Sequence, residues 1–241
     1  MDSIGFLCDP DHQVFRPVAH RLAARGFDVE FLRPSDPISP RDVDALSALV
    51  GGVVHPTAFA ALRYADAAGL PTWNGFTATA ALSARLVAID ALAAVGCHVP
   101  DVRFDGPREG YVPGYRYAWQ GATTLDGPAP FYVEAVGTGA PEHRYYAVDD
   151  GRETHMRAVE LHTAITGDDP LVERTDVDVS LAASVRELLD SFDARALAVD
   201  FTRGADGRFY ALRATPTPSF TGAGMDRRVA DSIASLTTIG P

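Results

Sequence analysis

The chain contains no lysine: all 21 of its lysine-or-arginine positions are arginine. That absence excludes chemistry that runs through a lysine amine, whether a Schiff base or a lysine-bearing phosphate loop. Cysteine is scarce as well. Cys8 and Cys97 are the only two, too few for a disulfide framework or a zinc site, and their apolar neighbours mark them as small buried hydrophobes. No apolar run is long enough to span a bilayer, and the N-terminus lacks a basic-then-apolar signal pattern. The expectation is a soluble cytoplasmic protein with no membrane partner. Positive charge is in deficit, with 32 acidic residues against those 21 arginines and a net charge of -11. A general nucleic-acid surface is thereby excluded, because phosphate binding needs clustered cations. An acidic protein whose only strong bases are arginines has two readings. One is the codon usage of a GC-rich genome. The other is a halophilic protein, whose carboxylate-rich surface stays hydrated in a high-salt cytoplasm.

What is present is a globular chain, 46% hydrophobic over 241 residues, long enough for one large domain or two to three small lobes. The first third alternates strand and helix signals. "SIGFLC" reads as a strand, and Pro17 and Gly26 bracket a helix with Val18 and Leu22 on one face. "DVEFL" is a strand, Ser39-Pro40 begins a short helix, and "LVGGVV" is a third strand. Thr57 caps "AFAALRYADAA", which stops at Gly69. Such alternation predicts a small parallel sheet covered by helices. After "GLPTWNG" the run "TATAALSARLVAIDALAAVG" reads as one helix carrying Leu82, Leu86, Ile89 and Ala93 on a face, ended by Gly96. Residues 101–130 are loop-rich, with glycines at 106, 110, 114, 121 and 127. Strands return with "FYVEAV" and "RYYAV", followed by a turn at Asp149-Asp150-Gly151. A helix from about Ser180 to Phe192 turns Leu181, Val185, Leu188 and Phe192 inward. "ALAVDF" and "RFYAL" form a strand pair around Ala205-Asp206-Gly207, and a last helix starts near Asp226. There is no internal repeat and no low-complexity tract.

In order and spacing these pieces resemble the ATP-grasp superfamily, in particular its carboxylate-amine ligases such as the ribosomal-protein glutamate ligases. "LPTWNG" is similar to the family's entry strand. "ARLVAIDALAAVGCHVP" is similar to the helix that the family opens with Asp-Lys and closes with Gly-x-x-x-Pro, which puts Arg85 at the lysine. "FYVEAVGTGAPEHRYYAVDDG" resembles the hinge strand and its successor, with Glu134 and Arg144 on matching positions. "LAVDFTRGADGRFYALRATPTPSF" resembles the segment that holds an Asp, then Glu-x-Asn, then a proline loop. The resemblance implies an α/β fold in which a small parallel-sheet domain over residues 1–75 precedes ATP-grasp-like α+β lobes. The first lobe, 76–130, is shortened, and the second occupies 131–241. An antiparallel sheet is expected from 131–136, 144–149, 196–201 and 208–213.

Three departures bear on function. The family's Glu-x-Asn pair and upstream acid bind the magnesium that bridges the ATP phosphates. Here Asp200 remains while Arg213 and Thr215 replace the pair. Magnesium demands oxygen ligands in near-octahedral geometry, and a protonated guanidinium has no acceptor to offer. Arg85 is the one evident substitute for the phosphate-contacting lysines. Residues 101–130 are too few for the helix, lysine-bearing strand and glycine-rich loop of a nucleotide-clamping lobe. These changes imply a degenerate ATP-grasp protein without ligase activity. No cofactor is expected, and the partner is an anionic small molecule or a related active ligase. The alternative is an active carboxylate-amine ligase that uses Mg-ATP and an acyl-phosphate, with Arg85 and Arg213 supplying the missing charge. The binding residues expected at the cleft are Arg85, Glu134, Arg144, Arg157, Asp200, Arg213 and Thr215. With no metal between them, Asp200 and Arg213 should form a direct ion pair.

Other constellations carry less. Asp9, Asp11 and His12 follow the first strand, where they can cap a helix or meet a ligand. His155 and His162, with Glu160 between, have a spacing that suits no compact ligand pair on a strand or helix. His98 beside Cys97 points the opposite way on a strand. "GAGMDR" at 222–227 can form an anion-holding loop before the last helix.

Overall fold

The structure, a computed structural model, describes residues 2–117, 129–162 and 171–238. Four strands, β1 (Ser3–Phe6), β2 (Asp28–Phe31), β3 (Ala48–Val50) and β4 (Thr72–Trp73), form a parallel sheet in the order β2-β1-β3-β4. β1 and β3, inside the sheet, are short apolar runs, whereas the edge strand β2 alternates exposed and half-buried residues. Three helices connect them: α1 (Phe15–Ala23), α2 (Pro40–Asp44) and α3 (Pro56–Ala67). The parallel-sheet expectation is met, with one correction to a cap. His55, not Thr57, caps α3, its Nδ1 accepting from the Thr57 backbone N at 3.3 Å, while Pro56 occupies the first turn. Ser39 opens α2 with a capping box to Asp42.

The expected single helix over 77–96 is two. Helix α4 (Phe76–Ser83) ends where Ala84 turns to φ -84° and ψ 109°, and α5 (Arg85–Ala94) starts afresh. The break is fastened from outside: the Arg85 backbone N donates to the Arg116 carbonyl at 2.9 Å, and Ala84 bridges to Tyr117. Tertiary pairing thus overrides alanine's high helix propensity.

A five-stranded antiparallel sheet, in the order β10-β9-β8-β11-β12, follows. Its members are β8 (Glu142–Asp149), β9 (Thr154–His162), β10 (Leu171–Thr175), β11 (Ala196–Arg203) and β12 (Phe209–Thr215). Three of the four strands expected in one sheet are here. The fourth, β7 (Phe131–Glu134), belongs to a separate three-stranded sheet, in the order β5-β7-β6 with β5 (Val102–Arg103) and β6 (Tyr111–Gly114). An apolar strand carries no label of its sheet, and this one finds Ile89 of α5 as its cover. Gly121 and Gly127 lie outside the described residues.

Helices α6 (Val179–Ser191), capped by Asp178, and α7 (Asp226–Thr238) complete the chain. Strand alternation splits the large sheet between two cores. Tyr146, Val148, Ala196 and Ala198 join α1, α7 and the parallel sheet, whereas Tyr145, Ala147, Leu197 and Val199 pack with residues of α4, α5 and α6. Asn74, the chain's only asparagine, pins the two sheets together. Fully buried, it donates to the carbonyls of Ala196 and Pro216 at 2.5 and 2.6 Å and accepts from the backbone N of Arg195 and Ala196 at 2.6 and 2.9 Å. Trp73 beside it donates to Ser232 of α7 at 2.8 Å. No helix among the described residues is long and apolar enough to cross a membrane.

Candidate functional site

Strand β11 is buried along nearly its whole length and is flanked by β8 and β12. The register places Arg144 of β8 and Arg213 of β12 directly across from Asp200, one on each side. A register shift at Asp200/Phe201 interrupts the β11–β12 ladder at this point, and such bulges re-aim side chains. Asp200 is 1% exposed. Arg144 grips it bidentately, Nε to Oδ1 at 2.5 Å and Nη2 to Oδ2 at 2.9 Å. Arg213 donates through Nε to the same Oδ2.

The expected Asp200–Arg213 pair is therefore present, and a second arginine joins it. Burial pushes the Asp200 carboxyl up, but the hydrogen bonds and charges of the two arginines reverse this and hold it below the usual carboxylate range. Burial also pulls Arg144 down, but the bond to Asp200 and its charge raise it instead. Both carboxylate oxygens are engaged by cations. As a donor set this centre does not fit magnesium: its one carboxylate is occupied, and Arg213 adds positive charge where an oxygen ligand is required.

Beside this centre opens a cleft of about 610 Å³, lined by Arg85 and Ala88 of α5, residues 112–115 and Tyr117, Val133 of β7, and Arg213 and Thr215 of β12. Arg85 is lowered first by burial and then by the charge of Arg213, with Asp200 and Glu142 opposing. Its Nε is buried without a hydrogen-bond partner, as is the hydroxyl of Ser83, which also lines the cleft. A buried donor left unpaired is costly, and a ligand acceptor is one way to satisfy it.

Of the seven expected binding residues, Arg85, Arg213 and Thr215 line the cleft, while Asp200 and Arg144 form the ion-paired floor behind Arg213. The other two lie elsewhere, and the shared cleft expected of the four arginines is corrected accordingly. Arg157 on β9 is exposed and donates to the Met156 carbonyl at 3.1 Å. Glu134 points away from the cleft because successive strand residues face opposite ways: Val133 takes the cleft side, and Glu134 accepts from the Asp101 backbone N at 3.2 Å on the other. Ser83, Tyr115 and Tyr117 went unforeseen; the α4–α5 break that positions them has no local signal.

His12 caps, its Nδ1 accepting from the backbone N of Val14 and Phe15 at 3.3 and 3.4 Å. Burial lowers its pKa against the pull of Asp9 and Asp11, in keeping with a nitrogen free to accept. Cys8 is buried and its thiol is pushed up to about 12, by burial and then by Asp9 and Asp11. His155 and His162 are not brought together. His155 pairs with Asp150 at 2.7 Å, His162 with Glu160 at 3.1 Å.

Known structures of the same shape include ATP-grasp ligases. The ATP-grasp ligase PsnB, complexed with a minimal precursor, aligns over 98% of this chain and 99% of its own at 16% identity, with a TM-score of 0.73. The macrocyclase MdnC from Microcystis aeruginosa MRC, bound with precursor peptide MdnA, aligns over 97% of this chain and 99% of its own at 12% identity and TM-score 0.69. N5-carboxyaminoimidazole synthetase from Staphylococcus aureus aligns over 98% of this chain and 77% of its own at 11% identity and TM-score 0.70. No family model and no curated protein matches the sequence. The chain has the ATP-grasp fold.

Proposed function

We propose that this ATP-grasp-fold chain is a binding protein without ligase activity, and that its cleft holds an anionic group without magnesium. The observation that carries the reading is the capture of both Asp200 oxygens by Arg144 and Arg213. Phosphoryl transfer relies on metal and cations to neutralise charge on the transferring group, and here the remaining acid is spent on the protein's own cations. Arg85 and Ser83 line the cleft, and each has a buried polar atom without a hydrogen-bond partner. They suit a carboxylate or phosphate, which arginine holds through charge-assisted hydrogen bonds. The anion belongs to a small molecule or to a protein partner, a related active ligase among them. Precursor peptides bound to PsnB and MdnC support a peptide as one source.

The second reading is an active carboxylate-amine ligase, favoured by alignment with ligases over nearly their full length. Calorimetry with ATP, ADP and pyrophosphate, each in EDTA and in excess magnesium, separates the two. The binding-protein reading expects affinity for at least one of these anions that is the same with and without metal. Arg85→Gln should weaken it about tenfold, the worth of one charge-assisted hydrogen bond. Micromolar binding that requires magnesium, with ADP released on turnover, would establish the ligase instead.

A further inference from the structure

Helix α5 and strand β7 form a wall with two unlike sides. Arg85, Ala88 and Val133 face the arginine-lined cleft; Leu86, Ile89, Asp90 and Glu134 face a second, more open groove of about 800 Å³. Helical periodicity produces this division, since residues 85 and 88 share one helix face and 86, 89 and 90 the next; Val133, opposite Val102 and packed with Ile89, is the apolar seam between the two sides. The groove has an apolar floor of Leu86, Ile89, Val99 and Val102, with Phe104 on its rim and 70% exposed. Its acids are Asp90, Asp101 and Glu134, and no arginine lines it. None of the three carboxylates takes part in an ion pair among the described residues. Among the described residues the Asp101 carboxylate accepts from Tyr111 Oη at 2.7 Å, and that of Glu134 from the Asp101 backbone N at 3.2 Å. Three carboxylates with no arginine partner thus surround an apolar floor and an exposed phenylalanine. Strand β5, which carries Val102 along the groove, is the edge of its sheet.

We infer that this groove is a docking site for an extended peptide segment of another protein in which arginine or lysine alternates with large aliphatic residues. The charge complementarity is specific: the apolar side chains seat on the floor and beside Phe104, and the cationic ones meet Asp90, Asp101 and Glu134. A segment lying along a sheet edge presents alternate side chains to one face, which matches a groove with an apolar bottom and acidic walls. The site is separate from the cleft and does not depend on what the cleft binds.

The test is fluorescence anisotropy of the full chain with a labelled, terminally blocked hexapeptide of alternating arginine and leucine, at physiological salt. The peptide should bind. Asp90→Arg combined with Glu134→Gln should weaken it at least tenfold, and Phe104→Ala should weaken it severalfold. A peptide with serine for each leucine should bind at least tenfold more weakly than the original. Asp28→Asn with Glu30→Gln, which removes two exposed acids on β2 of the parallel sheet, should leave affinity unchanged. Thermal melts confirm that the groove variants fold, since Asp90 and Phe104 are exposed and glutamine keeps the bond of Glu134. Three results would overturn the proposal: no binding, equal binding of the serine peptide, or equal loss in the β2 and groove variants. So would a dimer on size exclusion that the groove variants dissolve, because the occupant would then be a second copy of this chain.

Discussion

Asn74 and Asp200 are both buried polar side chains with every acceptor used, yet they are satisfied in different ways. Asn74 is neutral and meets only backbone, giving two hydrogen bonds and taking two across the seam between the sheets. Asp200 is charged and meets only side chains, the guanidiniums of Arg144 and Arg213. An amide held by backbone needs nothing beyond the fold. A carboxylate held by arginines depends on two further side-chain choices, and those choices remove it from metal chemistry. The fold's joint and its altered centre therefore answer to different physics, hydrogen-bond completeness in one and charge compensation in the other.

The joint should be the costlier to break. Asn74→Ala strands two backbone N–H groups and two carbonyls in the interior, and at about 1–3 kcal/mol for each unsatisfied group the loss is at least about 4 kcal/mol. Urea melts check it; a loss under about 1 kcal/mol would show that water replaces the amide. At the charged centre the two arginines should be unequal. Arg144, 19% exposed and bidentate, should cost about 3–4 kcal/mol as Arg144→Ala. Arg213, 47% exposed and bound through one nitrogen, is screened by solvent, so Arg213→Ala should cost only about 1 kcal/mol. Equal losses would mean that exposure does not set the worth of the pair.

Acid should sharpen the same contrast. The Asp200 carboxyl lies below its ordinary value when folded. Its contribution is therefore complete above an unfolded pKa of about 3.9 and fades as pH falls through the lower, folded value. The stability gap between wild type and Arg144→Ala should hold from neutral pH to about pH 4 and narrow below it. A gap that persists in strong acid would show Arg144 acting through packing, and the gap for Asn74→Ala should not narrow in this way.

Much of this was legible in the residues. The motif order from "LPTWNG" to "TPTPSF" led to the fold, and the replacement of two oxygen ligands by Arg213 and Thr215 led to an Asp200–Arg213 pair. What stayed hidden depended on register and on the chain's own tertiary contacts. Arg144 could be placed on β8 but not opposite Asp200, because a one-residue slip would have turned it to the other face. Strands β9 and β10 have mixed exposure and gave no clear period. The break at Ala84 is imposed by Arg116 and Tyr117 on a residue that prefers helix. Glu134 was assigned to the cleft from its motif, whereas strand alternation assigns it to the acidic groove.

The central claim is that Asp200 is neutralised by arginine in place of a metal. Electron paramagnetic resonance of manganese(II), a stand-in for magnesium, tests it most directly: manganese and ADP are mixed with and without wild-type protein, and with an Arg213→Glu/Thr215→Asn variant. The account predicts that wild type leaves the manganese signal as it is with ADP alone, while the variant, with oxygen ligands restored, diminishes it. A signal that wild-type protein diminishes stoichiometrically would contradict the account, because Asp200 would then be releasing its arginines to hold a metal.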